Sequence, residues 1–146
     1  MTMQYVHDVL DHKGSDVWTV DPTTSVYEAL EVMADKNIGA LVVVEEGRLI
    51  GIFSERDYAR RLALEGKRSR ETPVKEIMTE VVATVSTSHS MKDCMEFMTN
   101  SRVRHLPVVE NGELIGLVSI GDVVKSIMSY QEHMIQQLEA YITGRV

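Results

Sequence analysis

The chain contains one unit twice, and that duplication limits its folds more than any other feature. Shifted by 65 positions, residues 17–60 fall on 82–125 without a gap. The identical pairs are spread along the overlap: Val17/Val82, Thr19/Thr84, Val20/Val85, Ser25/Ser90, Met33/Met98, Leu41/Leu106, Val43/Val108, Gly51/Gly116, Ser54/Ser119 and Asp57/Asp122. Self-similarity at a fixed period marks a repeated supersecondary unit that cannot bury its apolar face alone. Each half is too small to cover both faces of a three-stranded sheet. Two halves packed together would solve this and leave a cleft of approximate twofold symmetry.

Each copy reads as strand, helix, two strands and helix. Thr19-Val20 and Thr84-Val85 are short extended segments. Ser25 and Ser90 are N-caps, with Glu28 and Asp93 three residues on completing a capping-box pattern. Val26, Leu30 and Met33 match Met91, Met95 and Met98, an i, i+4, i+7 spacing that predicts one core-facing stripe. The runs around Glu46-Gly47 and Asn111-Gly112 read as hairpins, and Asn-Gly between β-branched runs is a strong signal for one. Pro107 cannot donate to a ladder, so it should start its strand or lie on an edge.

A related short helix precedes each copy, Val6–Leu10 and Val74–Met78, now at an offset of 68. Thr72-Pro73 fits an N-cap followed by proline at the first helical position. The expected organisation is a first repeat over 1–65 with the N-terminal helix, a polar linker over 66–72, and a second repeat over 73–146. The last repeat should end in one long amphipathic helix from Val123 to Ile142, with Val124, Ile127, Met128, Met134, Leu138, Tyr141 and Ile142 as apolar contacts.

Composition excludes several function classes. A net charge of −7 disfavours nucleic acid as the main partner. Cys94 is the single cysteine, so an intrachain disulfide and a cysteine-based metal site are both ruled out, and it should be a buried helix residue. The histidines show no metal spacing, so no metal is expected. No apolar run approaches the roughly 20 residues of a membrane helix, and Met1-Thr2-Met3-Gln4-Tyr5 does not open a signal peptide. No membrane partner and a cytoplasmic location are the expectations.

The chemistry-bearing residues end the second hairpin strand and open the next helix: Gly51-x-x-Ser54-x-x-Asp57 and Gly116-x-x-Ser119-x-x-Asp122. Glycine in a strand admits a close backbone or a flat ligand. An acid directed into a cleft can accept hydrogen bonds from both hydroxyls of a ribose. Ser-x-x-acid is also a capping box, and a cap explains a lone match equally well. The motif recurs, however, opposite Ile38-Gly39-Ala40 in one copy and Val103-Arg104-His105-Leu106-Pro107 in the other.

Taken together these segments resemble a tandem pair of CBS domains of the small, stand-alone type. The resemblance implies an α+β fold of two βαββα repeats packed through their sheets with pseudo-twofold symmetry, plus the long C-terminal helix. It also implies a homodimer. By the same resemblance Asp57 and Asp122 would bind ribose, and Ser54 and Ser119 would lie near ribose or phosphate. Main-chain groups of Ile38, Gly39, Ala40, Val103, Arg104 and His105 would meet the adenine edge, with Thr19, Val20, Thr84 and Val85 lining the pocket, and Pro107, in the run facing the second motif, is expected among the ligand-binding residues. The two sites are unequal: Arg56 stands where the second copy has Gly121, and Arg102, Arg104 and His105 replace Asn37, Gly39 and Ala40. These basic side chains are expected to handle phosphate charge. Trp18 could stack on a base, although a packed core position is the plainer expectation.

The resulting expectation is a non-catalytic regulatory module that binds an adenine nucleotide (AMP, ADP, ATP or NAD) and acts on an unknown regulated protein. The competing reading is an interaction module in which the Ser/Asp pairs are only caps. An enzyme is not expected, since the chain offers no clustered nucleophile, base and orienting acid and no phosphate loop.

Overall fold

The computed structural model describes residues 4–14, 16–81 and 83–144. Val82 of the leading repeat pair and the first three residues lie outside that set. In chain order the elements are α1 (Val6–Lys13), β1 (Thr19–Val20), α2 (Val26–Lys36), β2 (Ala40–Glu45), β3 (Arg48–Ser54) and α3 (Glu55–Asp57), which continues as a π-helical stretch over Tyr58–Ala63. A 3-10 turn (Val74–Glu76), β4 (Thr79–Glu80), α4 (Met91–Ser101), β5 (His105–Glu110), β6 (Glu113–Ser119) and α5 (Ile120–Thr143) follow.

The fold is α+β and divides into two compact units. They do not follow the repeat boundaries read from the sequence. One unit lies within Val17–Val82, and the other joins residues of Met1–Asp16 to those of Ala83–Val146. Helix α1, expected to accompany the first repeat, packs instead in the core of the second: Val6, Val9 and Leu10 are buried with Val85, Met91, Cys94, Leu106, Val108 and Val118. The segment expected to open the second repeat closes the first, where Val74 and Ile77 are buried with Val26, Met33, Leu41 and Phe53. The reason is coverage. Each hairpin and helix leaves apolar surface that the leader segment of the other copy covers. The 66–72 segment is not a free tether either, because the carbonyls of Ser69 and Thr72 accept from Tyr27 and Val26 N–H at the start of α2.

In the first of these units the sheet order is β1-β2-β3-β4, with β1 parallel to β2 and the other pairs antiparallel. The second unit has the hairpin β5-β6 plus a single parallel bridge from Val85 to Val108. Both hairpins turn through two residues with positive φ, Glu46 and Gly47 (48° and 78°) and Asn111 and Gly112 (51° and 80°). That is the geometry of the mirror-image turn whose twist suits paired strands.

Pro107 explains why the copies differ. In the first copy Val42 N–H donates to the Trp18 carbonyl, anchoring β1 against β2. Its counterpart is Pro107, which has no N–H, and Thr84-Val85 is thereby reduced from a strand to one bridge. Pro107 itself stands third in β5, paired with Leu117, not at the strand start. Thr72 is not the cap of the following turn: Pro73 occupies the N-cap position, and the Thr72 hydroxyl donates to the Arg68 carbonyl at 2.8 Å.

The helices follow the predicted caps. Ser25 Oγ accepts from Glu28 N–H, and Ser90 with Asp93 forms a closed capping box. The Met stripe is buried except at Met95, which is 40% exposed. Cys94 is buried, and desolvation pushes its thiol up to about 11. Trp18 is not a core residue; its ring is partly exposed, with Lys36 Nζ 4.3 Å from the centroid. Along α5 the expected apolar contacts are mostly uncovered: Val123 and Ser126 are its buried residues, while Val124, Met128, Met134, Leu138, Tyr141 and Ile142 are exposed.

Candidate functional site

Both Ser/Asp motifs sit where a strand becomes a helix, and both form closed capping boxes. Ser54 Oγ accepts from Asp57 N–H at 3.2 Å, and Asp57 Oδ2 accepts from Ser54 N–H at 2.9 Å. Ser119 and Asp122 repeat this at 3.2 and 2.8 Å. The extended backbone at Ser54 and Ser119 (φ −122° and −98°) ends each strand while its hydroxyl satisfies one of the open N–H groups of the helix start.

The two acids differ in what else holds them. Asp57 is buried, and its second oxygen, Oδ1, accepts from the Thr79 hydroxyl at 2.9 Å. Its Oδ2 also accepts from Ser54 Oγ at 3.0 Å. Asp122 Oδ2 instead meets the Lys13 ammonium at 2.8 Å, and Lys13 is fixed there by donating to the Leu117 carbonyl at 3.0 Å. Burial, the largest influence on Asp122, would raise its pKa. The Lys13 hydrogen bond and charge, with the Ser119 N–H and hydroxyl, outweigh it and hold the carboxyl below its ordinary value. Asp122 thereby concentrates its contacts on one oxygen, whereas Asp57 divides them between both.

The motif glycines have a reason that local spacing did not reveal. A Cβ at Gly51 would stand 2.5 Å from Met78 Sδ and 3.0 Å from the Thr79 carbonyl. At Gly116 it would stand 2.7 Å from Leu10 Cδ2. Each glycine admits the exchanged leader segment, and Leu10 and Met78 are counterparts at the offset of 68. Lys13 and Thr79, the residues that reach the acids, arrive on those same segments. Sequence spacing missed all four, and the one signal for them was the second, shifted repeat alignment of the leaders.

The main chain before each hairpin is partly committed. Ile38 N–H bonds the Met33 carbonyl, and the Gly39 carbonyl accepts from Glu55 N–H; Val103, Met98, Arg104 and Ile120 repeat the pattern. Strand β1 pairs with Val42 and Val43. Ala40 lies two residues earlier, so its N–H points to the same edge as that of Val42 but beyond the reach of β1. His105 is the counterpart of Ala40 in the second copy, where it is half-buried and pairs with Ser119 across the hairpin. A half-open cavity of about 520 Å³ lies between α2 and α3, lined by Met33, Asn37, Ile38, Gly39, Glu55 and Tyr58 among others. Of the sequence-selected residues it takes in Ile38 and Gly39, not Ser54 or Asp57. The volume falls in the usual range of small-molecule sites.

Thr19, Arg56, Thr84, Arg102, Arg104 and Gly121 are exposed, Val20, Val103 and His105 half-buried, and Val85 and Pro107 buried. Arg102 closes α4 in the left-handed region at φ 54°, where the first copy has Asn37 at 53°. Among the described residues no group of three or more His, Cys, Asp and Glu could hold a metal ion, and no helix is long and apolar enough to cross a membrane.

A duplicated strand–helix–strand–strand–helix unit, with a Ser/Asp box at the same turn of both copies, defines a class of paired small α+β modules. The CBS-domain family model matches residues 6–64 and 74–129, and the chain belongs to that family. The chain is 41% identical to the mitochondrial CBS domain-containing protein CBSX3 of Arabidopsis thaliana, over 95% of this chain and 72% of that protein. It superposes at a TM-score of 0.80, with 48% identity, on a putative signal-transduction protein with CBS domains from Burkholderia ambifaria, covering 84% of this chain and 93% of that one. The CBS domain pair of protein MJ0100, solved in complex with 5-methylthioadenosine and S-adenosyl-L-methionine, superposes at 0.72 with 27% identity, over 84% and 94% of the two chains.

Proposed function

We propose that this chain is a non-catalytic regulatory module that binds an adenine nucleotide or dinucleotide and works as a homodimer. The observation that carries the reading is the Ser/Asp box, closed twice in the same geometry, in each copy at the end of the strand that pairs with β2 or β5. In each copy the acid takes a ribose hydroxyl, Asp122 through Oδ1 and Asp57 through acceptor capacity left on a carboxylate that offers about four lone-pair sites. Ser54 and Ser119 lie at the sugar. The main chain at Ala40 and His105 meets the adenine edge, where a mismatched buried donor or acceptor would discriminate against guanine by about 1–3 kcal/mol. Arg56 in the first copy and Arg102, Arg104 and His105 in the second supply the positive charge that phosphate needs in an acidic protein. Thr19, Val20, Thr84, Val85, Pro107 and Gly121 shape the walls. The adenosine ligands of the MJ0100 pair support the ligand class.

The test is calorimetric titration with AMP, ADP, ATP and NAD, preceded by mass spectrometry of small molecules released on denaturing the purified protein. Asp57→Asn and Asp122→Asn should each weaken one site roughly 10–100-fold, the loss of a charged hydrogen bond. Unchanged titration in both variants removes the ribose assignment.

One observation favours a second reading, an interaction module without a nucleotide: the Asp57 carboxylate is already met on both oxygens. That reading predicts no thermal shift with any adenine compound, whereas a ligand at 100 times its dissociation constant adds about 2.7 kcal/mol of stability.

A further inference from the structure

Helix α5 carries an apolar seam that its own unit leaves uncovered. Val124, Met128, Ile135, Leu138 and Ile142 are 45, 56, 54, 57 and 80% exposed. With Gln131, also exposed, they follow one another at alternating steps of four and three residues. That is the heptad spacing of a coiled-coil seam, with Met128, Ile135 and Ile142 at the a positions and Val124, Gln131 and Leu138 at d. The seam runs roughly 27 Å at the helical rise of 1.5 Å per residue. The family match ends at residue 129, so Gln131, Ile135, Leu138 and Ile142 lie beyond the repeat itself and serve no part of its core.

We propose that this seam is closed by the same helix of a second copy of the chain, in a parallel, in-register, two-stranded coiled coil. The inference deepens the homodimer part of the reading above by naming its surface, and it does not depend on the nucleotide. Three features select this occupant. No seam position is charged, so nothing in it would recognise a differently charged partner helix. Within parallel coiled coils isoleucine at a with leucine at d, as at Ile135, Leu138 and Ile142, favours two strands over three or four. Gln131 decides the direction. In a parallel pair its amide faces its twin, donor to acceptor, as a lone polar seam residue does when it fixes register. In an antiparallel pair it would face Ile135 and lose those hydrogen bonds. The antiparallel gain, exposed Lys125–Glu139 pairs, is offset by Glu132 meeting Glu132, and exposed pairs return less than an unpartnered buried amide costs. The polar side of the helix, with Lys125, Glu132 and Glu139, is not the basic face that draws a helix onto an anionic membrane.

The experiment is sedimentation equilibrium of the full chain, wild type against Leu138→Glu and Ile135→Glu, with melting temperature as the folding control. A dimer is expected for the wild type, with a dissociation constant raised at least 100-fold in either variant and melting of the dilute monomer unchanged. In a second arm, Leu138→Cys should cross-link to its twin under mild oxidation, while the wild type, whose Cys94 is buried, should not. A dimeric wild type with undisturbed assembly in both glutamate variants overturns the seam and leaves the homodimer standing; a monomeric wild type overturns both. Cross-linking that needs Leu138→Cys mixed with Met128→Cys overturns the parallel arrangement. Co-sedimentation with phosphatidylserine vesicles, lost in Leu138→Glu, assigns the seam to a lipid surface and overturns the proposal.

Discussion

Leu10 occupies the space that a side chain at Gly116 would need, its Cδ2 lying 2.7 Å from an ideal Cβ there. The pair Met78 and Gly51 repeats the relationship at 2.5 Å, with the Thr79 carbonyl at 3.0 Å behind it. These contacts lock each exchanged leader onto the other copy's hairpin.

Gly116→Ala and Gly51→Ala should therefore destabilise unequally. At Gly116 the obstacle is the flexible end of a leucine, and overpacking of that kind costs about 1–3 kcal/mol. At Gly51 the obstacle includes backbone, so β4 must move and carry Thr79 away from Asp57. Chemical denaturation should rank Gly51→Ala as the more damaging, and equal midpoints would show that β4 yields as easily as a side chain.

Lys13 sets the acid sensitivity of the second copy. Asp122 has its carboxyl held below the ordinary 3.8, so it contributes stability that is complete above that value and is lost as pH falls through the depressed folded pKa. Lys13→Met removes the ammonium and leaves burial to raise the Asp122 pKa. The variant should be less stable at neutral pH by about 1 kcal/mol, within the range of a hydrogen-bonded ion pair near the surface. The difference from wild type should shrink as pH falls through the carboxylate range and close only below the depressed Asp122 pKa. A gap that is constant across pH would mean that Lys13 contributes packing, not charge.

How much of this was legible in the sequence depends on whether the cause was local. The capping boxes at Ser54/Asp57 and Ser119/Asp122, both hairpin turns and the long last helix could be read directly, because caps and turns are fixed by residues within four positions of one another. The exchange of leaders could not. Nothing near Val6 or Val74 says which hairpin its apolar face will cover, and the offset change from 65 to 68 was the one trace. The same limit hid Lys13 and Thr79, which reach the acids across 109 and 22 residues. Trp18 and the outer half of α5 were misjudged for a related reason: apolar type predicts burial only where something exists to cover it.

Pro107→Val tests why the second copy lacks a counterpart of β1. The variant regains the N–H that Val42 uses against Trp18, and its expected acceptor is the Ala83 carbonyl. The new hydrogen bond is worth about 0.5–1.5 kcal/mol and is offset by the roughly 0.4–1 kcal/mol that proline contributes through the unfolded chain. Global stability should change little. Amide exchange at Val85, whose N–H donates to the residue 107 carbonyl, should slow several-fold, as the single bridge becomes a ladder. Exchange that stays at the wild-type rate would place the cause of the broken strand elsewhere in that segment.

Arg102 holds a left-handed backbone at φ 54° in a position where its counterpart is asparagine. That conformation costs an ordinary L-residue about 1–2 kcal/mol, and asparagine much less. Arg102→Asn should accordingly raise stability by about 1 kcal/mol, readable as a higher denaturation midpoint. A residue kept at such cost is a candidate for a ligand contact. If its guanidinium neutralises phosphate, the same substitution should weaken AMP and ATP binding several-fold while leaving adenosine binding unaltered, and the loss should shrink in high salt. A variant that gains stability and binds every adenine compound as the wild type does would show that Arg102 is an exposed helix end with no part in the site.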